Sequence, residues 1–334
     1  SLVPLDPISR LTLNRGSPEE EYPDLKRNRT VMASVLTLSM YKRQYNRATD
    51  SGVIFDDATG PAAVGCLAGD AQSYILFCSF FDRVIEAHQG YNMSGSQESD
   101  FNYDNLKREA LLHDRSSCVY VLISTRFQGG DDFDSAYTQG CEVRSILGDA
   151  VTMETATDPR MKTGVARDWP DSRAAWVSKD GNLVVWVNVD DHLQLVSART
   201  DSNIRKAFES VCVHLKKLEA LYRKLRHSFI WKQHLGWVVS SPADVGTGLR
   251  ASVWLKLCHL PLHKRLGNIL ERLRLHMDTA DCSGVYRVSN AQTIGFTEVE
   301  LLQLLVDGVK LLTVMERALE QPDGSIDHLV PAQK

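Results

Sequence analysis

Two short stretches carry most of the residues that could do chemistry. The first is Gly236 to Leu257, GWVVSSPADVGTGLRASVWLKL. Its β-formers Trp237, Val238 and Val239 lead into Ser240-Ser241-Pro242, then Gly246-Thr247-Gly248, then Arg250 at the head of a second strand. Glycines let a backbone come close to a ligand, and a row of turn amides beside a guanidinium suits an anion. The same letters also suit a plain β-hairpin with a glycine turn, so spacing leaves both readings open. The second stretch is Asp190-Asp191-His192, between the apolar run NLVVWVNV and Leu193–Ser197. Two adjacent carboxylates there fit a working site and a solvated turn equally well.

The totals narrow the class. A chain of 334 residues, 43% hydrophobic and 24% charged, is long enough for two domains and a full core without staples. A net charge of −4 gives no basic bias toward nucleic acid or an acidic membrane surface. Seven cysteines (66, 78, 118, 141, 212, 258 and 282) form no CxxC pair, so no metal site or disulfide framework is indicated. A reducing, cytoplasmic setting is expected. No signal peptide is visible, and no apolar run reaches the length of a membrane span.

The elements that must position those residues read as follows. Ser17 to Leu25 resembles a capped first turn that breaks at Pro23. Apolar spacing of three and four predicts helices over 30–47 and 73–87. Helices thus dominate residues 1–90, the first domain. The polar stretch 91–117 reads as a linker. Residues 118–334 read as a larger mixed domain, with a buried strand from Cys118 to Ile123 and strands at Asn182–Val189 and Leu193–Ser197. Long helices are predicted over Ser202–Lys232, Pro261–Leu275 and Thr297–Leu319, with Thr297 and Glu300 as a capping box. The fold class is α+β.

Several motifs in register now carry a resemblance: EEEYPDL (19–25), ARDWPDSR (166–173), VNVDDHL (187–193), GTGLRASV (246–253) and GFTEVELLQLLVDGVKLL (295–312). Together they resemble the phosphagen (guanidino) kinases, most closely creatine kinase, from about Pro18 to Lys334. The tail SIDHLVPAQK (325–334) is similar to the cytosolic type. The resemblance implies a small helical N-terminal domain and a larger domain with an antiparallel sheet flanked by helices. It implies ATP with Mg2+ as cosubstrate, a guanidino substrate such as creatine, and a dimer.

Against that family the chemical positions are altered. Phosphoryl transfer relies on positioning and on arginine forks around the phosphoryl oxygens. The family strand S-S-R-V-R-T-G corresponds here to Ile123-Ser124-Thr125-Arg126-Phe127-Gln128-Gly129. Without a gap Arg126 falls between the two arginine positions and points to the other face, unless a local bulge shifts it back. Asp190 replaces the guanidinium-orienting glutamate, and Gln194 replaces another phosphate-facing arginine. Ser241 replaces the reactive cysteine, so a neutral hydroxyl stands where a thiolate would be. Trp254 stands at a histidine position near the base, and Arg287 at an acidic one. Leu275-His276-Met277 runs directly into Asp278, so the family's mobile glycine loop is missing. The specificity loop is reduced to Ala58-Thr59-Gly60-Pro61, and a helical insert after Cys141 is missing too.

Taken together these losses lead to the expectation of a catalytically dead or crippled relative. It would serve as a binding or structural component, pairing with itself or with an active relative, with other protein partners open. The competing readings are an active creatine or phosphagen kinase, and a nucleotide sensor working through Arg250 and Trp186.

Overall fold

The computed structural model describes residues 15–58, 64–107, 118–127, 151–152, 173–280, 284–321 and 324–331. The specificity-loop remnant from Thr59, the ARDWPDSR motif up to Ser172, and residues 128–150 lie outside them.

The N-terminal part is helical, as expected, but its helices are shorter. α1 (Pro18–Glu21) opens with a Ser17/Glu20 capping box and stops at Tyr22, the residue before Pro23. The helix predicted over 30–47 is two: α2 (Val31–Val35) and α3 (Leu38–Gln44). Leu36 turns extended, its carbonyl accepts from the Tyr22 hydroxyl at 2.8 Å, and the Thr37 side chain caps a fresh start at Met40 N. A capping hydroxyl competes with continued helix, which spacing alone does not register. Likewise α4 (Ser73–Leu76) and α5 (Cys78–Gln89) are separated by a break at the fully buried Phe77. Phe55 meets Tyr41, Phe77 and Phe80 edge-on in the core between them. That core also takes in Val238, Val239, Ala243 and Val245, so the helical part backs the segment leading to the glycine turn.

The larger part is built on β1 (Cys118–Phe127), β2 (Val151–Thr152), β3 (Ala174–Val177), β4 (Leu183–Val187), β5 (Leu193–Arg199), β8 (Leu249–Lys256), β9 (Leu275–Thr279) and β10 (Val285–Asn290). They form one antiparallel sheet in the order β2-β3-β4-β5-β1-β8-β10-β9. Helices α6 (Ile204–Lys224) and α8 (Glu298–Leu319) cover one face. Ile123, Phe127, Val185, Leu195 and Val253 point into that core with Phe208 and Leu305. The capping box of Thr297 and Glu300 is present.

Three expected elements differ. Gly236–Leu257 is not a hairpin: β7 (Gly236–Trp237) pairs with β6 (Trp231–Lys232) in a separate ribbon, while β8 lies between β1 and β10. α6 ends at Lys224, not Lys232, because Arg226 turns left-handed and the chain returns as β6. The helix predicted over Pro261–Leu275 shrinks to α7 (Leu266–Leu273). Arg274 then adopts φ 55°, and Leu275 enters β9.

The segment after α5 is tied down by side chains. Gln97 donates to Phe296 O at 2.6 Å and accepts from Gly295 N at 2.8 Å. The Glu298 carboxylate accepts from Asp100 N at 2.6 Å and from the Ser99 hydroxyl at 3.1 Å. Burial pushes the Glu298 carboxyl up to about 7 against the pull of these donors. A carboxyl raised on folding stabilises fully below its unfolded value and loses that contribution as pH rises through the folded one. Thermal melts of wild type and Glu298→Gln from pH 4 to 8 should therefore diverge. The wild-type advantage is expected to shrink by on the order of 3 kcal/mol between about pH 4.5 and 7 and then level off. A pH-independent difference would contradict this assignment.

Candidate functional site

The face of the sheet opposite α6 and α8 carries the chemistry, and a one-residue irregularity decides its content. β1 pairs with β8 through Cys118↔Leu255 and then Tyr120↔Trp254, so β1 holds one extra residue there. A bulge of this kind moves every later side chain to the other face. Thr125 and Phe127 accordingly point into the core, and Ser124 and Arg126 point out. Ser124 lies opposite Arg250, Arg126 opposite Gln194, and Gln194 opposite Trp186. Arg126 thus shares the face of Arg250, Gln194 and Trp186, and the register irregularity lies ahead of the Tyr120-Val121-Leu122 run.

The glycine turn has a different use from the one first read. Gly246 (φ 103°) runs so close to its neighbour that a Cβ would sit 2.4 Å from Thr293 O. A Cβ on Gly248 (φ 60°) would sit 2.7 Å from Arg126 O. Thr247 N donates to Thr293 O at 2.8 Å, and Leu249 N to the Thr247 hydroxyl at 3.2 Å. The close approach is therefore to the protein's own backbone, and these amides are engaged within it. The turn is locked to the helical part by Gln89. Its Oε1 accepts from Thr293 N at 2.8 Å, and its Nε2 donates to Ala243 O at 3.2 Å.

Ser241 also serves the backbone. Its hydroxyl accepts from Ala243 N at 3.3 Å and its carbonyl from Asp244 N at 3.0 Å. Ser240 is the residue that reaches the carboxylate pair. Its amide and hydroxyl each donate to Asp191 Oδ1 at 2.8 Å, and the Asp190 carbonyl lies 3.1 Å from the hydroxyl.

What the face assembles is an ion cluster. Arg250 Nε donates to Asp244 Oδ1 at 2.9 Å, Nη1 to Asn290 O at 3.1 Å, and Nη2 to Ala243 O at 2.8 Å. Arg126 Nη1 lies 3.6 Å from Asp191 Oδ2 and 3.7 Å from Asp244 Oδ2. Side-chain exposures of 1% for Asp191, 13% for Asp244, 23% for Arg126 and 30% for Arg250 leave the carboxylates innermost. Asp244 therefore bridges two guanidinium groups. Burial raises the Asp191 carboxyl above the usual carboxylate range, opposed by Arg126 and the Ser240 donors. Burial works against the Arg126 charge, and Asp191, Asp244 and Asp190 outweigh it. His88, at the end of α5, is accessible at its surface. Desolvation, then the Arg250 charge, lower its pKa.

Sequence reasoning had Arg126, Arg250, Trp186 and the Asp190-Asp191 pair but gave Asp244 and Ser240 no role. An acid six positions before Arg250 was the only written signal for Asp244. At the far edge β9 and β10 pair up to Thr279↔Tyr286, so the hairpin is short, as the missing glycine loop implies. Arg287 Nη2 donates to Asp278 Oδ2 at 2.6 Å there. Among the described residues no three His, Cys, Asp or Glu side chains gather to hold a metal ion.

Comparison with known proteins agrees with the earlier resemblance. Residues 125–319 match the ATP:guanido phosphotransferase C-terminal catalytic domain, and residues 26–86 match the N-terminal domain of the same family. The chain is 37% identical to the creatine kinase M-type of Homo sapiens, with 95% of this chain and 96% of that protein covered. It is 35% identical to the creatine kinase B-type of Gallus gallus, covering 99% and 100%. Among solved structures, lombricine kinase superposes with a TM-score of 0.83 at 26% identity, over 95% of this chain and all of that one.

Removing one partner of a buried ion pair leaves the other charge uncompensated, at a cost of about 3–5 kcal/mol. Asp191→Ala is thus expected to lower unfolding stability by about 3 kcal/mol, because it also orphans the Ser240 amide. Urea denaturation with an unchanged m-value measures it; a loss under about 1 kcal/mol would contradict a structural ion cluster.

Proposed function

Because this chain belongs to the ATP:guanido phosphotransferase family, and because the guanidinium groups on its open sheet face already hold carboxylates, we propose a creatine kinase-like protein that has lost ATP:creatine phosphotransfer. It acts as a binding or structural component on the phosphagen kinase fold. The single observation that carries this reading is Asp244 between Arg250 and Arg126.

The reasoning is electrostatic. A triphosphate and its transition state need arginine forks whose donors are open toward the phosphoryl oxygens. Here all three Arg250 nitrogens donate to Asp244 and to main-chain carbonyls. The Arg126 charge is balanced by Asp191 and Asp244. Gln194, bonded to Ser124 at 2.8 Å, adds no charge. The described residues thus fit an ATP–Mg2+ complex poorly. On the guanidino side, Asp190 is a methylene shorter than the glutamate it replaces. The Ser241 hydroxyl is turned to Ala243 N and cannot supply a thiolate's negative charge.

The resemblance of residues 325–334 to the cytosolic type supports a cytoplasmic chain that pairs with itself or with an active relative. Among the described residues no helix is long and apolar enough to cross a membrane.

A coupled assay with ATP, Mg2+ and creatine, run beside an ordinary creatine kinase, tests the reading. Loss of one preorganised donor costs on the order of 10²–10³-fold in kcat, so loss of two places turnover at least ~10⁴-fold lower. Turnover within tenfold of the control would establish an active phosphagen kinase instead. The double variant Asp190→Glu, Ser241→Cys leaves both arginines neutralised and is expected to stay inactive. Recovery of activity in it would rank the carboxylate and thiol as the larger losses.

A further inference from the structure

We propose that Asp244 is a resident counter-anion: its carboxylate fills the place between Arg126 and Arg250 that a phosphate-class anion would take, and its charge alone keeps that place closed. The inference rests on the reading of this face as a former anion site and names the residue that shuts it.

The geometry supports a stand-in for an oxyanion. One Asp244 oxygen accepts from Arg250 Nε at 2.9 Å while the other faces Arg126 Nη1 at 3.7 Å, so the two oxygens divide between two guanidinium groups. Forked donors from two directions are the arrangement that suits a tetrahedral oxyanion. Asp244 is mounted rigidly, with its amide bonded to Ser241 O at 3.0 Å and Gln89 gripping the Ala243 carbonyl beside it. A carboxylate held in place competes with a dissolved anion at a very high effective concentration.

Charge balance points the same way. Asp191 and Asp244 already match Arg126 and Arg250 in charge, and Asp190 adds a further negative charge near Arg126, so an added phosphate would bring uncompensated negative charge into a half-buried place. Neutralising Asp244 removes one of the negative charges that compete with a phosphate for these arginines. Arg250 would stay where it is, because the carbonyls of Asn290, Ala291 and Ala243 hold its Nη atoms. Arg126 would keep Asp191. An asparagine has no charge and only one oxygen, so it cannot hold both guanidinium groups and yields the place to an anion.

The test measures inorganic phosphate binding to the full chain by calorimetry and by thermal shift, with potassium chloride at matched ionic strength as the control. At ~100 times the dissociation constant of the variant, Asp244→Asn is expected to be clearly stabilised by phosphate and wild type by no more than about half as much. Affinity should improve at least about tenfold in Asp244→Asn, and adding Arg126→Gln to it should cancel the gain. Asp244→Ser removes the same charge with a smaller side chain and serves if the asparagine variant does not fold. Equal phosphate affinity in wild type and variants, or a gain reproduced by chloride, overturns the proposal. An active wild type in the coupled assay would instead overturn the loss-of-function reading, so the two failures are separable.

Discussion

A guanidinium inside a protein must be satisfied by something, and which partner it takes decides what the site can do. A site built to receive phosphate keeps its arginines short of partners until the ligand arrives, which costs stability in the empty protein. Here that tension is resolved internally. Asp191 and Asp244 lie deeper than the arginines they balance, and Ser240 donates twice to the same Asp191 oxygen. The surrounding fold serves this cluster. The aromatic core of the helical part packs on Val238, Val239, Ala243 and Val245, and Gln89 clamps Ala243 to Thr293. Moving that segment would disturb both guanidinium groups, since Asp244 faces Arg126 and Asp244 with the Ala243 carbonyl holds Arg250.

Periodicity read the fold well where one face of an element faces one core. The apolar rows of α6 and α8 and the alternation in β4 and β5 are of this kind. It failed where a local hydrogen bond outcompeted continuation. Thr37 restarts a helix, Arg226 and Arg274 turn left-handed, and in each case the apolar pattern runs on across the break. Both outcomes follow from what a pattern encodes: burial is written in spacing, whereas a cap or a reversal depends on one residue and its neighbour.

The site was legible in its residue types and illegible in its pairing. Arg126, Asp190, Arg250 and Trp186 stood out as chemistry-bearing positions, and the structure puts Arg126, Arg250 and Trp186 on one face. The face that Arg126 takes follows from the pairing of β1 with β5 and β8, which the local letters do not spell out. Asp244 was harder still. In the sequence it is an ordinary acid in a turn. Its importance comes from β1 and β8 lying side by side, which brings Arg126 to within 3.7 Å of it across 118 positions of chain.

The persistence of the glycine motif carries a lesson about reading function from conserved-looking letters. Gly246-Thr247-Gly248 invites an anion-binding interpretation, yet close packing within the chain already accounts for its glycines. A side chain at Gly246 would strike the Thr293 carbonyl, and one at Gly248 would strike the Arg126 carbonyl. Both positions also have positive φ, so any other residue there is strained as well as crowded. These glycines are required by the packing of β8 against β1 and of the turn against residues 293–294, whether or not phosphate ever binds. The same holds for the Gln89 clamp and the Thr297 capping box. Such features are needed by the fold itself, independently of any reaction. The charged groups on the sheet face opposite α6 and α8 are under no such packing requirement. The pattern of retention therefore argues about architecture, and the balance of charge around Asp244 argues about activity.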